Sequence, residues 1–165
     1  YVMPHIEQGQ FYENAEAITA ILTEVKEAYR ISEDRIYLTG LSRGGHGTWG
    51  VASRMANHFA AIAPICGALH GVDDFSTLVS LPIWVAHNPD DNIVKYERSK
   101  KAVAEIETLS KQTFHHSTTI SAADFQQHDL IFTSGENDVK PHDAWTEMYN
   151  EVNFYKWLLR FKKDR

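Results

Sequence analysis

The stretch Arg35-Ile36-Tyr37-Leu38-Thr39-Gly40-Leu41-Ser42-Arg43-Gly44-Gly45-His46-Gly47 decides how the rest of the chain is read. A short apolar, β-prone run from Ile36 to Thr39 ends at Gly40, and a helix-compatible segment follows from Thr48 to Asn57. Between them Ser42 stands in a G-x-S-x-G pattern, with a strand before it and a helix after it. A serine at such a strand-to-helix turn takes a strained backbone and lifts its Oγ clear of the sheet. Gly40 and Gly44, two residues to either side, are expected to be small because side chains there would collide across the turn. The N-terminus of the following helix directs N–H groups and the positive end of its dipole at the same point.

Working outward, the other segments alternate between helix and strand. From Gln10 to Arg30, Ala17, Ile18, Ile21, Leu22, Val25, Ala28 and Tyr29 recur at helical spacing, with Glu13, Glu16, Glu24, Lys26 and Glu27 mostly off the stripe. Phe59 to Cys66 is a nearly continuous apolar run closed by Gly67, as expected of a strand covered on both faces. Leu81 to His87 is a further strand, with Pro82 at its tolerated start and the turn Asn88-Pro89-Asp90-Asp91-Asn92 behind it. A short helix is expected near Asp73 to Val79, a longer one from Val94 to Leu109, and a short strand at Thr118 to Ser121. Leu130 to Thr133 reads as the last strand, and Val152 to Lys162 as an amphipathic terminal helix with a basic tip. This alternation indicates βαβ units, an α/β fold and a mostly parallel sheet with flanking helices.

Composition bounds the function. The 165 residues form one expected domain, 1–165, burying roughly 70% of its unfolded-chain surface. With 16 Lys and Arg against 22 Asp and Glu the net charge is −6, and no basic stripe offers itself to nucleic acid. No apolar run reaches the length of a membrane span. Cys66 is the only cysteine, so neither an intrachain disulfide nor a cysteine-based zinc site can form, and one thiol says nothing of the compartment. The opening Tyr1-Val2-Met3-Pro4 carries no initiator methionine or leader and reads as the tail of a strand, so the natural protein is expected to extend upstream.

A serine hydroxyl becomes a nucleophile when a base accepts its proton, and the base needs a carboxylate to hold its tautomer. Asp90 and Asp91 follow the strand ending at His87, and His142 follows the strand ending at Thr133. The order serine, acid, histidine, each in a loop after a strand, is that of the α/β hydrolases. At this point the chain resembles the α/β-hydrolase fold esterases of the phospholipase/carboxylesterase and polyhydroxybutyrate-depolymerase-like group. Three blocks carry the likeness: Arg35 to Trp49 (RIYLTGLSRGGHGTW), Leu81 to Val94 (LPIWVAHNPDDNIV) and Pro141 to Leu159 (PHDAWTEMYNEVNFYKWLL), with weaker support from Ala61 to Gly67. The resemblance implies a partial α/β-hydrolase fold lacking its N-terminal strands. It makes Ser42 the nucleophile, His142 the base and the N–H of Arg43 an oxyanion donor. Asp91 becomes the orienting acid, four residues after His87 and three before Val94, as that group's His-Gly-x-x-Asp-x-x-Val loop requires. Asp90 is the runner-up, with an Asx-turn role as its other reading. Asn88 replaces the usual glycine, so the loop is expected to take a different course. The implied reaction is hydrolysis of a small-molecule ester through an acyl-serine, without metal or organic cofactor.

Other residues read more plainly. His46 and Trp145 are expected to pack near the site, and Cys66 to behave as a buried small hydrophobe. His115, His116 and His128 show no metal-ligand spacing and are expected at the surface. Asp138 and Asp143 flank the histidine loop as solubilising or helix-starting residues. Without upstream strands, Ile36 to Thr39 is an unpaired apolar edge that a second copy of the chain would cover in a homo-oligomer. Two rival readings of the whole are a serine peptidase of the prolyl-oligopeptidase type and a non-catalytic hydrolase remnant acting as a binding domain.

Overall fold

Apolar runs flanked by amphipathic helices pack best as a sheet buried on both faces, and this is the arrangement found. The computed structural model describes residues 9–72, 74–118, 126–135 and 139–163. Along these the order is α1 (Ala15–Ala28), β1 (Tyr37–Leu41), α2 (Arg43–Met55), β2 (Ala61–Ile65), β3 (Ile83–Ala86), α3 (Glu97–Ser110), β4 (His115–Ser117), β5 (Leu130–Thr133), α4 (Trp145–Asn150) and α5 (Val152–Arg160). The five strands form one parallel sheet in the order β1-β2-β3-β5-β4.

Period-two alternation sorts the strand side chains into two cores. Ile62, Ile83, Val85, Leu130 and Phe132 point to one face, against Trp49 and Ala52 of α2, Ala102, Val103 and Ile106 of α3, and Ile18 of α1. Ala61, Ala63, Ile65, Trp84, Ala86 and Ile131 point to the other, against Met148 of α4 and Phe154, Trp157 and Leu158 of α5. Trp84 anchors the second core: its ring meets Phe154 and Trp157 edge-on, and its indole N–H donates to the Thr133 hydroxyl at 2.8 Å. The N–H of Trp157 donates to the His128 carbonyl at 3.0 Å, so both indoles of this second core are satisfied.

Differences from the sequence reading lie at polar or short elements. The first helix begins as a 3-10 turn, Phe11–Asn14, before α1. The helix expected near Asp73 is a 3-10 turn, Ser76–Leu78, and Asp73 itself lies outside the described residues. In place of a strand at Thr118 to Ser121 the sheet gains β4 at His115–Ser117; Thr118 lies in a bend, and 119–121 lie outside the described residues. The expected strand tail at Tyr1 to Pro4 also falls outside them. β1 pairs with β2 over Tyr37↔Ala61 to Leu41↔Ile65 and is the terminal strand of the sheet among the described residues. No helix among the described residues is long and apolar enough to cross a membrane.

Trp157 is fully buried and holds both apolar area and a hydrogen bond in the second core. Trp157→Ala is expected to cost about 3–5 kcal/mol of stability, and Trp157→Phe less. Denaturant unfolding followed by circular dichroism measures both.

Candidate active site

Every loop that carries a candidate residue leaves the carboxyl edge of the sheet, where ligands bind in parallel α/β folds. Ser42 follows β1, Cys66 follows β2, Asp91 lies in the turn after β3, and His142 lies in the loop after β5. Ser42 has φ 51° and ψ −114°, in the left-handed half of backbone space, at an expected cost of about 1–3 kcal/mol. The surroundings hold it there. Its N–H donates to the Ile65 carbonyl at 3.0 Å and lies 3.3 Å from Cys66 Sγ, while its carbonyl accepts the N–H of His46 at 2.9 Å as the first bond of α2. Cys66 itself has φ 40°, so two residues in unfavourable conformations lean on one another.

Close backbone approach explains Gly40, where a Cβ would lie 2.4 Å from the Gly44 carbonyl oxygen. The expectation for Gly44 is corrected: a Cβ there would meet nothing within 4 Å. Gly44 contributes the backbone that Gly40 touches, and its own side-chain direction is open. The tight helix–strand contact is instead between Gly45 and Gly67, where a Cβ on Gly67 would come within 2.3 Å of the Gly45 carbonyl carbon.

The structure brings Ser42, His142 and Asp91 into one hydrogen-bonded line. Ser42 Oγ is 2.9 Å from His142 Nε2, and His142 Nδ1 is 2.7 Å from Asp91 Oδ2. The proton therefore resides on Nδ1, facing a carboxylate, and Nε2 presents its lone pair to the serine hydroxyl. Trp145 packs edge-on against the His142 ring with centroids 5.3 Å apart, the packing role expected of it. Asp91 is 4% exposed. Burial works against its charge, but the His142 hydrogen bond and the N–H groups of Val94 and Ile93 outweigh it and hold the carboxyl below its ordinary range. Asp90, the runner-up, is exposed on the turn and takes no part.

Asn88 shows why the acid loop departs from a glycine pattern. It is buried, and its side-chain amide donates to the Pro141 carbonyl at 3.0 Å, one residue before His142. Arg43 is the first residue of α2, where a backbone N–H has no partner inside the helix; its side chain turns away and donates to the Gly9 carbonyl. Asp143 accepts the N–H and hydroxyl of Thr146, a helix-starting role for α4, while Asp138 lies outside the described residues.

His46 packs behind the elbow, its Nδ1 accepting the Ala68 N–H and its ring edge-on to His70. Burial, with His70 beside it, lowers its pKa to about 4, so it is neutral at physiological pH. His116 is exposed, whereas His115 and His128 are half-buried and stack face to face at 4.1 Å. Donor atoms of Cys66, Asp91 and His142 lie within 4.8 Å of one another, close enough to suggest a metal. The 2.7 Å hydrogen bond fills the space between the carboxylate and the imidazole, and burial pushes the Cys66 thiol up to about 12. The arrangement therefore suits proton transfer better than metal coordination.

No family model matches the chain. Among solved structures, a thermostable esterase aligns with a TM-score of 0.73 at 28% identity, the match covering 90% of this chain and 36% of that one. An S-formylglutathione hydrolase of Staphylococcus aureus aligns at 0.63 with 15% identity, covering 89% and 62%. SOBER1 of Arabidopsis thaliana aligns at 0.60 with 17% identity, covering 94% and 66%. A bifunctional acetylxylan esterase/xylanase of Neocallimastix patriciarum is 33% identical over 82 residues, which is 49% of this chain and 12% of that protein. The chain has the α/β-hydrolase fold, and the solved structures it resembles include esterases. It spans about a third of the thermostable esterase and about an eighth of the N. patriciarum protein.

Two outcomes follow from this geometry. Gly67→Ala is expected to destabilise by about 1–3 kcal/mol through overpacking, whereas Gly44→Ala leaves the thermal midpoint within a degree or two. Iodoacetamide at pH 8 is expected to leave Cys66 unmodified in the native chain and to alkylate it in denaturant, as read by mass spectrometry.

Proposed function

We propose that this chain is the catalytic portion of a serine esterase, a single domain using Ser42, His142 and Asp91 as nucleophile, base and orienting acid. The observation that carries the reading is the continuous line of 2.9 Å and 2.7 Å contacts from a strained, sheet-edge serine to a buried, ionised carboxylate. The similarity to esterases supports the reaction class.

The chemistry runs in two halves. Ser42 Oγ attacks the ester carbonyl carbon as His142 Nε2 takes its proton, and Asp91 stabilises the resulting imidazolium. The carbonyl oxygen becomes an oxyanion and accepts the N–H of Arg43, with the α2 dipole behind it. Collapse breaks the bond to the alcohol oxygen, which leaves with the proton from His142, and an acyl-serine remains. Water then enters, gives a proton to His142 and attacks the acyl carbon; collapse returns the proton to Ser42 Oγ and frees the acid. The substrate is a small or aromatic acyl ester, with acetyl esters the first choice given the acetylxylan esterase likeness.

Hydrolysis of p-nitrophenyl acetate and butyrate tests the proposal, together with fluorophosphonate labelling. The chain is expected to turn over the esters and to be labelled at Ser42, and Ser42→Ala to lose both, with kcat down by at least about a thousandfold. A folded chain that neither hydrolyses nor labels would overturn it.

A further inference from the structure

Asp91 has a second imidazole partner that the relay does not use. His87, at the exit of β3, is fully buried. Its Nε2 lies 3.0 Å from Asp91 Oδ2, the same oxygen that His142 contacts, and 2.9 Å from the Val94 carbonyl. Both neighbours are acceptors only, so Nε2 carries a proton. Nδ1 lies 2.7 Å from the hydroxyl of Ser99 on α3, which is also buried, and that hydroxyl sits 3.2 Å from the Gly67 carbonyl. Burial holds the His87 pKa below its ordinary value, so the ring is neutral and Nδ1 accepts from Ser99. Tyr96 meets the ring edge-on at 5.7 Å and fixes its plane.

The count at the carboxylate is then complete. Oδ1 accepts the N–H groups of Ile93 and Val94 at 2.8 and 2.9 Å, and Oδ2 accepts from His142 and from the His87 Nε2–H, which it shares with the Val94 carbonyl. Two oxygens offer about four lone-pair sites, and four donors occupy them. A carboxylate held this way cannot swing toward or away from His142, and four donors make it a poor base. Such a carboxylate stays ionised when His142 becomes imidazolium, instead of taking the proton.

We propose that His87 is a positioning residue for the reaction: its Nε2–H, with its tautomer set by the Val94 carbonyl and Asp91 and its ring held at Nδ1 by Ser99, locks the Asp91 carboxylate in register with His142. The inference rests on the Ser42–His142–Asp91 reading above and adds a fourth side chain behind it. His87 touches no reacting atom. It acts through Asp91 alone, so its loss slows the chemical step and leaves substrate binding nearly unchanged.

A pair of nearly isosteric amides separates this role from packing. In His87→Gln the amide nitrogen reaches the Nε2 position and can still donate to Asp91. In His87→Asn it reaches only the Nδ1 position, beside Ser99. Both keep a polar group in the pocket, and thermal unfolding checks that both are folded. With p-nitrophenyl acetate, Asn is expected to lower kcat by about 10- to 100-fold with KM within about threefold, and Gln to recover most of that loss, as partners behind a functional residue typically cost that much. The fluorophosphonate labelling rate at Ser42 is expected to fall in parallel. Equal kcat in Gln and Asn, or a loss carried by KM, would overturn the proposal, as would parent-like rates in both. If one amide does not fold, Ser99→Ala stands in for it, expected to lower kcat about tenfold at constant KM; unchanged kcat there overturns the proposal too. Labelling or turnover that survives Ser42→Ala would instead refute the nucleophile assignment, a different result from any of these.

Discussion

The backbone of Ser42 is the constraint on which the site depends. A φ of 51° places the hydroxyl above the sheet only while something holds the turn in that state. The Ile65 carbonyl binds its N–H, Cys66 lies under it, and α2 starts from its carbonyl. The near-contact of Gly45 with Gly67 lets α2 approach the exit of β2 closely enough for these bonds to form. Strain at one residue is thus supported by the packing of a helix and two strands, the parts of a small domain least able to relax.

Charge around the elbow is arranged to leave one proton path. His46 and His87 are both kept neutral by burial, one with Nδ1 satisfied by a backbone N–H and the other with Nδ1 satisfied by a hydroxyl. The Cys66 thiol is likewise kept protonated by burial and is not available as a thiolate. Asp91 is the buried group here that its surroundings favour as an ion, because the His142 hydrogen bond and the N–H groups of Val94 and Ile93 outweigh the cost of burial. A buried anion facing neutral rings makes the His142 side the natural place for positive charge to form.

How much of this was legible in the sequence depended on whether a signal was local. Phe59 to Cys66, Leu81 to His87 and Leu130 to Thr133 announced three strands because sheets covered on both faces need unbroken apolar runs. The spacing of Asp91 from His87 and Val94 singled out the carboxylate that now bonds His142, and the two backbone donors come from Ile93 and Val94 in that same turn. β4 was misplaced because His-His-Ser has no apolar alternation; an edge position asks for none. The role assigned to Gly44 failed for a different reason. Smallness in a motif does not say which glycine carries the contact, and here Gly40 approaches Gly44 while Gly45 approaches Gly67. The sequence offers His87 as a strand end and as the first position of the acid loop, but not its contact with Asp91 or its bond to Ser99, which lies twelve residues further on in α3.

The reach of the histidine loop shows how the sheet and the site are reconciled. β1 and β5 are three strand positions apart, roughly 14 Å at the usual interstrand spacing, yet His142 Nε2 lies 2.9 Å from Ser42 Oγ. His142 is therefore held across the exits of β3 and β2 from the strand that precedes it, a crossing that ends at the serine. Two contacts fall along that crossing: Asn88 at the exit of β3 holds the Pro141 carbonyl, and Asp91 in the same turn holds His142 itself. A glycine at position 88 has no side chain to make the first of these, so the departure from the glycine pattern gives the loop a tether. One turn after β3 thus both holds the His142 imidazole and tethers the residue before it, which couples the position of that ring to its orientation.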